Sequence, residues 1–428
     1  MKRTFCLAPA AFGIAAILGS VAGGARADSP PGVEAKVRDV MPGVIELRRN
    51  FHAHPELSNR EERTARVVAE RLRELGLEVQ TGVARHGVVA LLRGARPGRC
   101  AALRADMDAL PVAEATGLPF ASKNPGVMHA CGHDAHTAVL LGAAEVLALM
   151  KGDLSGTVKF IFQPAEEGAP PGEEGGALLM VEEGVLENPK VDAIFALHVF
   201  PTLEAGKIGY TFGGTMASVD RFKVTMHGKQ THAAYPWEGV DPVVASAHAI
   251  TALQTIASRT VDTREPVVVS VGIVEGGRRW NIIPESITFH GTVRAHSRDV
   301  RAQARRDFER ILSGVASAHG AEYELEYEDL APVTYNDPDL GRGMLDALGR
   351  VAGPGVVVEA KPTMGGEDFA FYAERVPGFY IRLGVRNEDA GAVSALHTPT
   401  FQLDEAALPL GVRALVEMAW EFLHAPVP

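Results

Sequence analysis

Between Met128 and His136 the chain reads MHACGHDAH, which places three histidines, an aspartate and a cysteine within nine residues. Thiolate, imidazole and carboxylate together suit zinc and its transition-metal neighbours, and the soft thiolate disfavours magnesium or calcium. The same stretch could instead be half of a disulfide or a polar loop. In an oxidising compartment Cys100 and Cys131 could pair. Other residues of the same chemistry weigh on the choice. Asp106 and Asp108 follow the apolar run CAALRA, Glu166 and Glu167 follow TVKFIFQPA, and DAIFAL ends in His198. Each alone has a bland reading: a turn aspartate, a solvated glutamate pair, a hydrogen-bonded core histidine. Adjacent glutamates also suit a division of labour, one carboxylate on a metal and the other free to move a proton.

The elements that must carry these residues alternate. Ser58-Asn59-Arg60-Glu61 reads as a capping box opening a helix with Val68, Leu72 and Leu75 on one face. GVVALLRG, CAALRAD, TVKFIFQ, DAIFALH and GFYIRLG read as buried strands. TAVLLGAAEVLALM reads as an apolar helix starting near Thr137, with the histidine-rich stretch in the loop before it. Apolar strands alternating with helices predict an α/β fold with a mostly parallel sheet covered on both faces. Ligands of such sheets bind beyond the carboxyl ends of the strands. The aspartates, glutamates, His198 and the Cys-Gly-His loop therefore converge on one edge, and metal binding outweighs the disulfide. Between residues 212 and 330 the order changes to βαββαβ, the pattern of a small ferredoxin-like domain. Its second helix carries a stripe of Val300, Ala304, Phe308, Ile311 and Val315. Helix and strand patterns resume from 331, so one domain (28–211 plus 331–428) is interrupted by another.

Composition bounds the function. At 46% hydrophobic and 22% charged, the 428 residues describe a folded, soluble protein, of about two domains. A net charge of −11 with no basic run in the body argues against nucleic acid as a partner. Residues 1–27 have a basic start, an apolar middle and Ala25-Arg26-Ala27, the form of a cleavable secretory signal. The expectation is an exported protein, periplasmic or secreted, with no membrane attachment after cleavage. Removal deletes Lys2, Arg3 and Arg26 and no acid, so the mature chain is still more acidic. Of three cysteines, Cys100 and Cys131 then remain, and Cys100 on its buried strand reads as a reduced core residue.

The motifs LRRNFHAHPELSNRE, ALRADMDALP, MHACGHDAHTAVLLGAA, VKFIFQPAEEG, IFALHVFP, NIIPESITFHGTVR, MGGEDFAFY and LHTPTF run in order from about Val44 to Glu417. Together they resemble the dinuclear metallo-amidohydrolases related to hippurate hydrolase, plant indole-acetyl-amino-acid hydrolases and bacterial aminoacylases. Glutamate-releasing carboxypeptidases are more distantly similar. The resemblance implies an α/β catalytic domain with an inserted ferredoxin-like lid and dimerisation domain. It implies that Cys131, His133, Glu167, His198 and His397 hold two divalent transition-metal ions per chain, zinc first, with manganese, cobalt or nickel as alternatives. By the same resemblance Glu166 is the general base and Asp108 orients a metal ligand. His232 stabilises the oxyanion, reaching toward a partner subunit, and Asn281 assists it. Arg294 would pair with a substrate carboxylate, and Gly365 and Gly366 would let backbone approach the substrate. His52, His54, His129 and His136 fit the motifs without a ligand role. This chain departs from its relatives at Gln230-Thr231, where a glycine pair is common. Trp280 would either wall an acyl pocket or pack at an interface.

The implied activity is hydrolysis of N-acyl amino acids to a carboxylic acid and a free amino acid, by a homodimer or higher oligomer. A metallo-carboxypeptidase or dipeptidase with the same site is the nearest alternative, and a non-catalytic binding protein the remote one.

Overall fold

A computed structural model describes residues 29–425; the signal-like residues 1–27 lie outside them. The chain enters through helices α1 (Val33–Ala53) and α2 (Glu62–Glu74), then strands β1 (Glu78–Val83), β2 (Gly87–Arg93) and β3 (Arg96–Asp106). Helix α3 (His133–Leu149), β4 (Ser155–Gln163), α4 (Gly176–Glu182), β5 (Ala193–Glu204) and β6 (Ile208–Tyr210) follow. After the interrupting part come β14 (Thr334–Asn336), α7 (Pro338–Ala352), β15 (Val357–Glu359), α8 (Ala370–Ala373), β16 (Gly378–Arg386) and α9 (Leu408–His424). The interrupting part contains β7 (Gly213–Met216), β8 (Val219–His227), β9 (Thr231–His232), α5 (Pro242–Leu253), β10 (Val267–Gly276), β11 (Ile282–Ile283), β12 (Ser286–Ala295), α6 (Arg298–His319) and β13 (Glu322–Ala331).

The main sheet has the order β1-β2-β4-β3-β5-β16-β6-β15. Its centre is parallel, from β4 through β3 and β5 to β16, while β1-β2, β2-β4 and β16-β6 pair antiparallel. One face packs Val44, Phe51, Leu72, Leu140, Val412 and Leu415; the other packs Met180, Phe369, Tyr372 and Tyr380. Coverage of both faces is why the central strands read as continuous apolar runs. In the β3–β4 pair Asp106 sits opposite Gln163, so both strands end together and deliver their following residues to one edge.

Several local expectations need correction. Helix α3 starts at His133 rather than near Thr137, so His133, Asp134 and His136 belong to its first turn. The apolar pattern begins late because these polar side chains face a buried site instead of solvent. His198 does not end its strand, since β5 runs on to Glu204. The capping box does not form: Glu61 makes no side-chain cap, and Glu56 accepts the amides of Arg63 and Thr64 instead. On α6 the buried stripe is Val300, Ala304, Phe308, Leu312 and Ala316, one residue beyond the expected Ile311 and Val315. Helix α1 and strand β1 carried no recognised signal.

The βαββαβ part forms an antiparallel sheet of its own, order β10-β12-β8-β13, backed by α5 and α6 over Phe222, Phe289, Phe308 and Leu312. The chain enters and leaves it through the paired strands β7 and β14.

Candidate dinuclear metal centre

Gly132, with φ +90°, sits between Cys131 and His133 at the N-terminus of α3. A Cβ there would meet Val199 Cγ2 at 2.4 Å, so only glycine lets the turn press against β5. That turn aims Cys131 and His133 toward His198 on β5, with Cys131 Sγ 3.4 Å from His198 Nε2. His397, also at positive φ, brings Nε2 to 3.2 Å from the same sulfur and 3.2 Å from Glu167 Oε1. The five sequence-expected ligands thus meet. Cys131, His133 and His198 form one cluster of ligand-capable atoms, Cys131, Glu167 and His397 another, and the sulfur belongs to both.

The imidazoles are oriented from behind. His133 Nδ1 lies 3.2 Å from Asp108 Oδ1, leaving Nε2 facing Asp106, Glu166 and Glu167 at 3.9–4.0 Å. His198 donates Nδ1–H to the Val199 carbonyl at 2.7 Å, which leaves Nε2 with a free lone pair. His136 has no such freedom. Its Nε2 accepts the Val199 amide at 2.9 Å, so Nδ1 carries the proton donated to Asp106 at 2.6 Å. His52 is likewise engaged, with Asp134 at 2.8 Å and Glu114 at 3.3 Å, and His54 bonds the Asn50 carbonyl. His129 is buried with neither ring nitrogen paired, and burial holds its pKa down at about 4.

The site is crowded with negative charge. Burial opposes a charge on His133, yet Asp106, Asp108 and Glu167 push its pKa up to about 10. Burial, reinforced by Glu367, Asp368 and Glu167, raises the Glu166 carboxyl well above its ordinary range. Burial and the neighbouring carboxylates also hold the Cys131 thiol in its protonated form. His133 Nε2 is buried without a hydrogen-bond partner, and Glu167 Oε1, also buried, has only the His397 imidazole beside it. An unpartnered imidazole nitrogen, a shared sulfur and excess negative charge fit a pair of divalent cations, whose binding would displace the protons of the imidazole and the thiol.

The remaining expected residues divide into two groups. Arg294 donates to the Met364 carbonyl at 3.3 Å, and a Cβ on Gly366 would lie 3.6 Å from its guanidinium and 2.3 Å from Val219 Cγ2. Arg294, Gly365 and Gly366 are therefore brought together where the two sheets meet. His232 and Asn281 also adjoin, through the β9–β11 pair and the Ala233 amide on the Asn281 carbonyl. His232 is exposed, however, and its contacts within the described residues run to Ala234 and Tyr235, not to the metal-facing cluster.

Sequence reasoning missed several buried partners. Arg104 binds Asp106 at 2.7 Å, Asp368 at 2.8 Å and Glu367 at 3.0 Å, tying the Gly365–Asp368 segment to β3. An arginine inside the apolar run CAALRAD was the available signal. Glu367 accepts the Tyr380 hydroxyl at 3.0 Å.

A mixed sheet with a polar edge built for two cations and a second, smaller sheet inserted beside it defines a class of metallohydrolase. The chain belongs to peptidase family M20/M25/M40, whose model matches residues 102–421. It is 40% identical over 90% of its length to thermostable carboxypeptidase 1 of Saccharolobus solfataricus, covering 97% of that protein. It is also 40% identical to an N-acetylcysteine deacetylase of Bacillus subtilis, over 88% of this chain and 96% of the relative. Among solved structures it resembles a Bacillus subtilis protein described as a dinuclear metal-binding peptidase of the M20 family. That likeness has a TM-score of 0.79 and 37% identity, over 91% of this chain and 100% of the other. The chain is a hydrolase of amide bonds.

Proposed function

We propose that the protein is an exported, two-metal hydrolase of N-acyl amino acids that works as a homodimer. The observation that carries this reading is the shared Cys131 sulfur between two ligand clusters, with the Glu166 carboxyl beside them. Cys131, His133, Glu167, His198 and His397 would hold the ions, and the thiolate favours zinc over harder cations. When bound, the ions would polarise the scissile carbonyl and acidify a water. Glu166 Oε2 would take the proton of that water and pass it to the leaving nitrogen. The role requires a carboxyl that both accepts and returns a proton in one turnover. Asp108 orients His133, and Arg294, half-buried with no carboxylate paired to it among the described residues, would receive the carboxylate of the amino-acid product.

The deacetylase relative supports an acylated substrate, and the carboxypeptidase relative supports a rival, cleavage of free peptides. The experiment is release of free amino acid from N-acyl amino acids and matching dipeptides by metal-loaded mature protein, with a chelated control. Release from the acylated series is expected; release confined to dipeptides would move the function to a peptidase. Glu166→Gln should lower kcat by about 10²–10⁴-fold while metal analysis finds both ions still bound. An active Glu166→Gln enzyme would remove Glu166 from the proposed role.

His232 and Asn281 would act across a dimer, which is consistent with the exposure of His232 on the short β9–β11 pair. Trp280 is 92% exposed and Trp237 75%. Trp280 therefore walls no pocket within its own chain, and the interface reading is favoured. Export rests on residues 1–27 alone. Among the described residues no helix is long and apolar enough to cross a membrane.

A further inference from the structure

The segment Ser58–Glu61, whose pattern suggested a helix cap, points elsewhere in the folded chain. Ser58 Oγ donates to Asp108 Oδ2 at 2.7 Å. Asn59 Nδ2 donates to Glu173 Oε2 at 3.1 Å and to the Glu174 carbonyl at 3.0 Å. Arg60 forms an ion pair with Glu173 at 2.6 Å. Glu61, fully buried, accepts two amides on one oxygen: Asn59 N–H at 3.0 Å and Ala165 N–H at 2.8 Å. Ala165 has φ +55°, a conformation that costs a residue with a side chain on the order of 1–3 kcal/mol and persists only where surroundings impose it. The next two amides, of Glu166 and Glu167, both donate to Asp108 at 3.1 Å. Three successive N–H groups of one turn are thus held by two buried carboxyls.

We propose that Glu61 is a positioning residue that locks the left-handed Ala165 turn and thereby sets where the Glu166 and Glu167 side chains stand, with Asn59 fastening the far end of the same loop. The inference rests on the function proposed above. The chemistry is hydrogen-bond acceptance, not charge. Burial first, and Asp108 second, push the Glu61 pKa to about 8, so near neutrality the group is mainly a neutral acid. A glutamine offers the same carbonyl acceptor. An alanine leaves the Ala165 amide buried and unpaired, and the turn is free to relax.

The test compares Glu61→Ala with Glu61→Gln. Glu61→Ala is expected to lower kcat about 10- to 100-fold, the scale of a small misplacement of catalytic groups, with KM changed little. Glu61→Gln should restore most of the rate. The second readout is hydrogen–deuterium exchange in metal-free protein. Exchange in a peptide covering residues 162–168 should rise in the alanine variant and not in the glutamine variant. Where Glu61→Ala gives no soluble protein, Asn59→Gly reads the same kcat-against-KM split, because it removes the side-chain amide's bonds to Glu173 and the Glu174 carbonyl, leaving only the Arg60 ion pair there, and keeps a backbone suited to positive φ. Wild-type kcat and unchanged exchange in Glu61→Ala would overturn the proposal, as would a glutamine variant as impaired as the alanine one. A wild-type enzyme inactive on every acyl substrate would defeat the functional reading, and the exchange data would still decide the clamp.

Discussion

The raised pKa of Glu61 makes a stability prediction independent of catalysis. A carboxyl that titrates near 8 when folded and near 4.3 when unfolded binds its proton more tightly in the folded state. Its contribution is present below about pH 4 and lost as pH rises toward 8. Glu61→Gln cannot ionise and escapes that loss. The melting temperature of the variant relative to wild type should therefore climb between pH 5 and 8; a constant difference would mean that Glu61 titrates normally. Cys100 offers a second check, because burial pushes its thiol up to about 11. It should resist alkylation in the native protein at pH 8 and react on unfolding, with rapid native labelling as the contrary result. At this scale residue type showed that a thiol, imidazoles and carboxylates gather at one edge, while the choice of Cys131, His133, Glu167, His198 and His397 came from the family resemblance; in the fold these five do converge. It was illegible where a side chain acts through distant backbone. Nothing local distinguishes a glutamate that caps its own helix from one that accepts the amide of Ala165.

Helix α3 shows what an element adds. Its N-terminus carries Cys131 just before and His133 just after Gly132, so one glycine controls the separation of two candidate ligands. Gly132→Ala is expected to cost about 1–3 kcal/mol through strain at positive φ, compounded by the 2.4 Å approach to Val199. It should also reduce the metal retained after dialysis. Unaltered stability and metal content would show that the turn can reshape itself. The start of this helix was misjudged because periodicity registers the apolar residues from Thr137 onward, whereas the first turn is buried by polar pairing. His136 holds Asp106, and Asp134 holds His52 and, at 2.9 Å, Arg48. Buried polarity of this kind breaks the rule that polar means exposed. The central strands also bury polar residues, Arg104 and Lys159 among them, but each sits within a dominant apolar run, which is why the alternating order was readable.

For the whole molecule, the expectation of a mostly parallel sheet held at its centre and missed the antiparallel flanks, because pairing direction follows from connections and not from the strand's own residues. The proposed dimer makes a test here. Trp280 and Trp237 carry large apolar area on an exposed surface, a common mark of an interface. Trp280→Asp should shift the protein toward monomer in light scattering and lower kcat with it, whereas a variant that stays dimeric would place the interface elsewhere. Strand β3 has a consequence at this scale too. Cys100 lies along its length and Asp106 at its end, beside the cluster that contains Cys131. Six residues of extended chain span roughly 20 Å, and a disulfide needs Cα atoms within about 7 Å. These two thiols cannot join without dismantling the sheet, so this part of the chain keeps the same covalent framework whether its surroundings are reducing or oxidising.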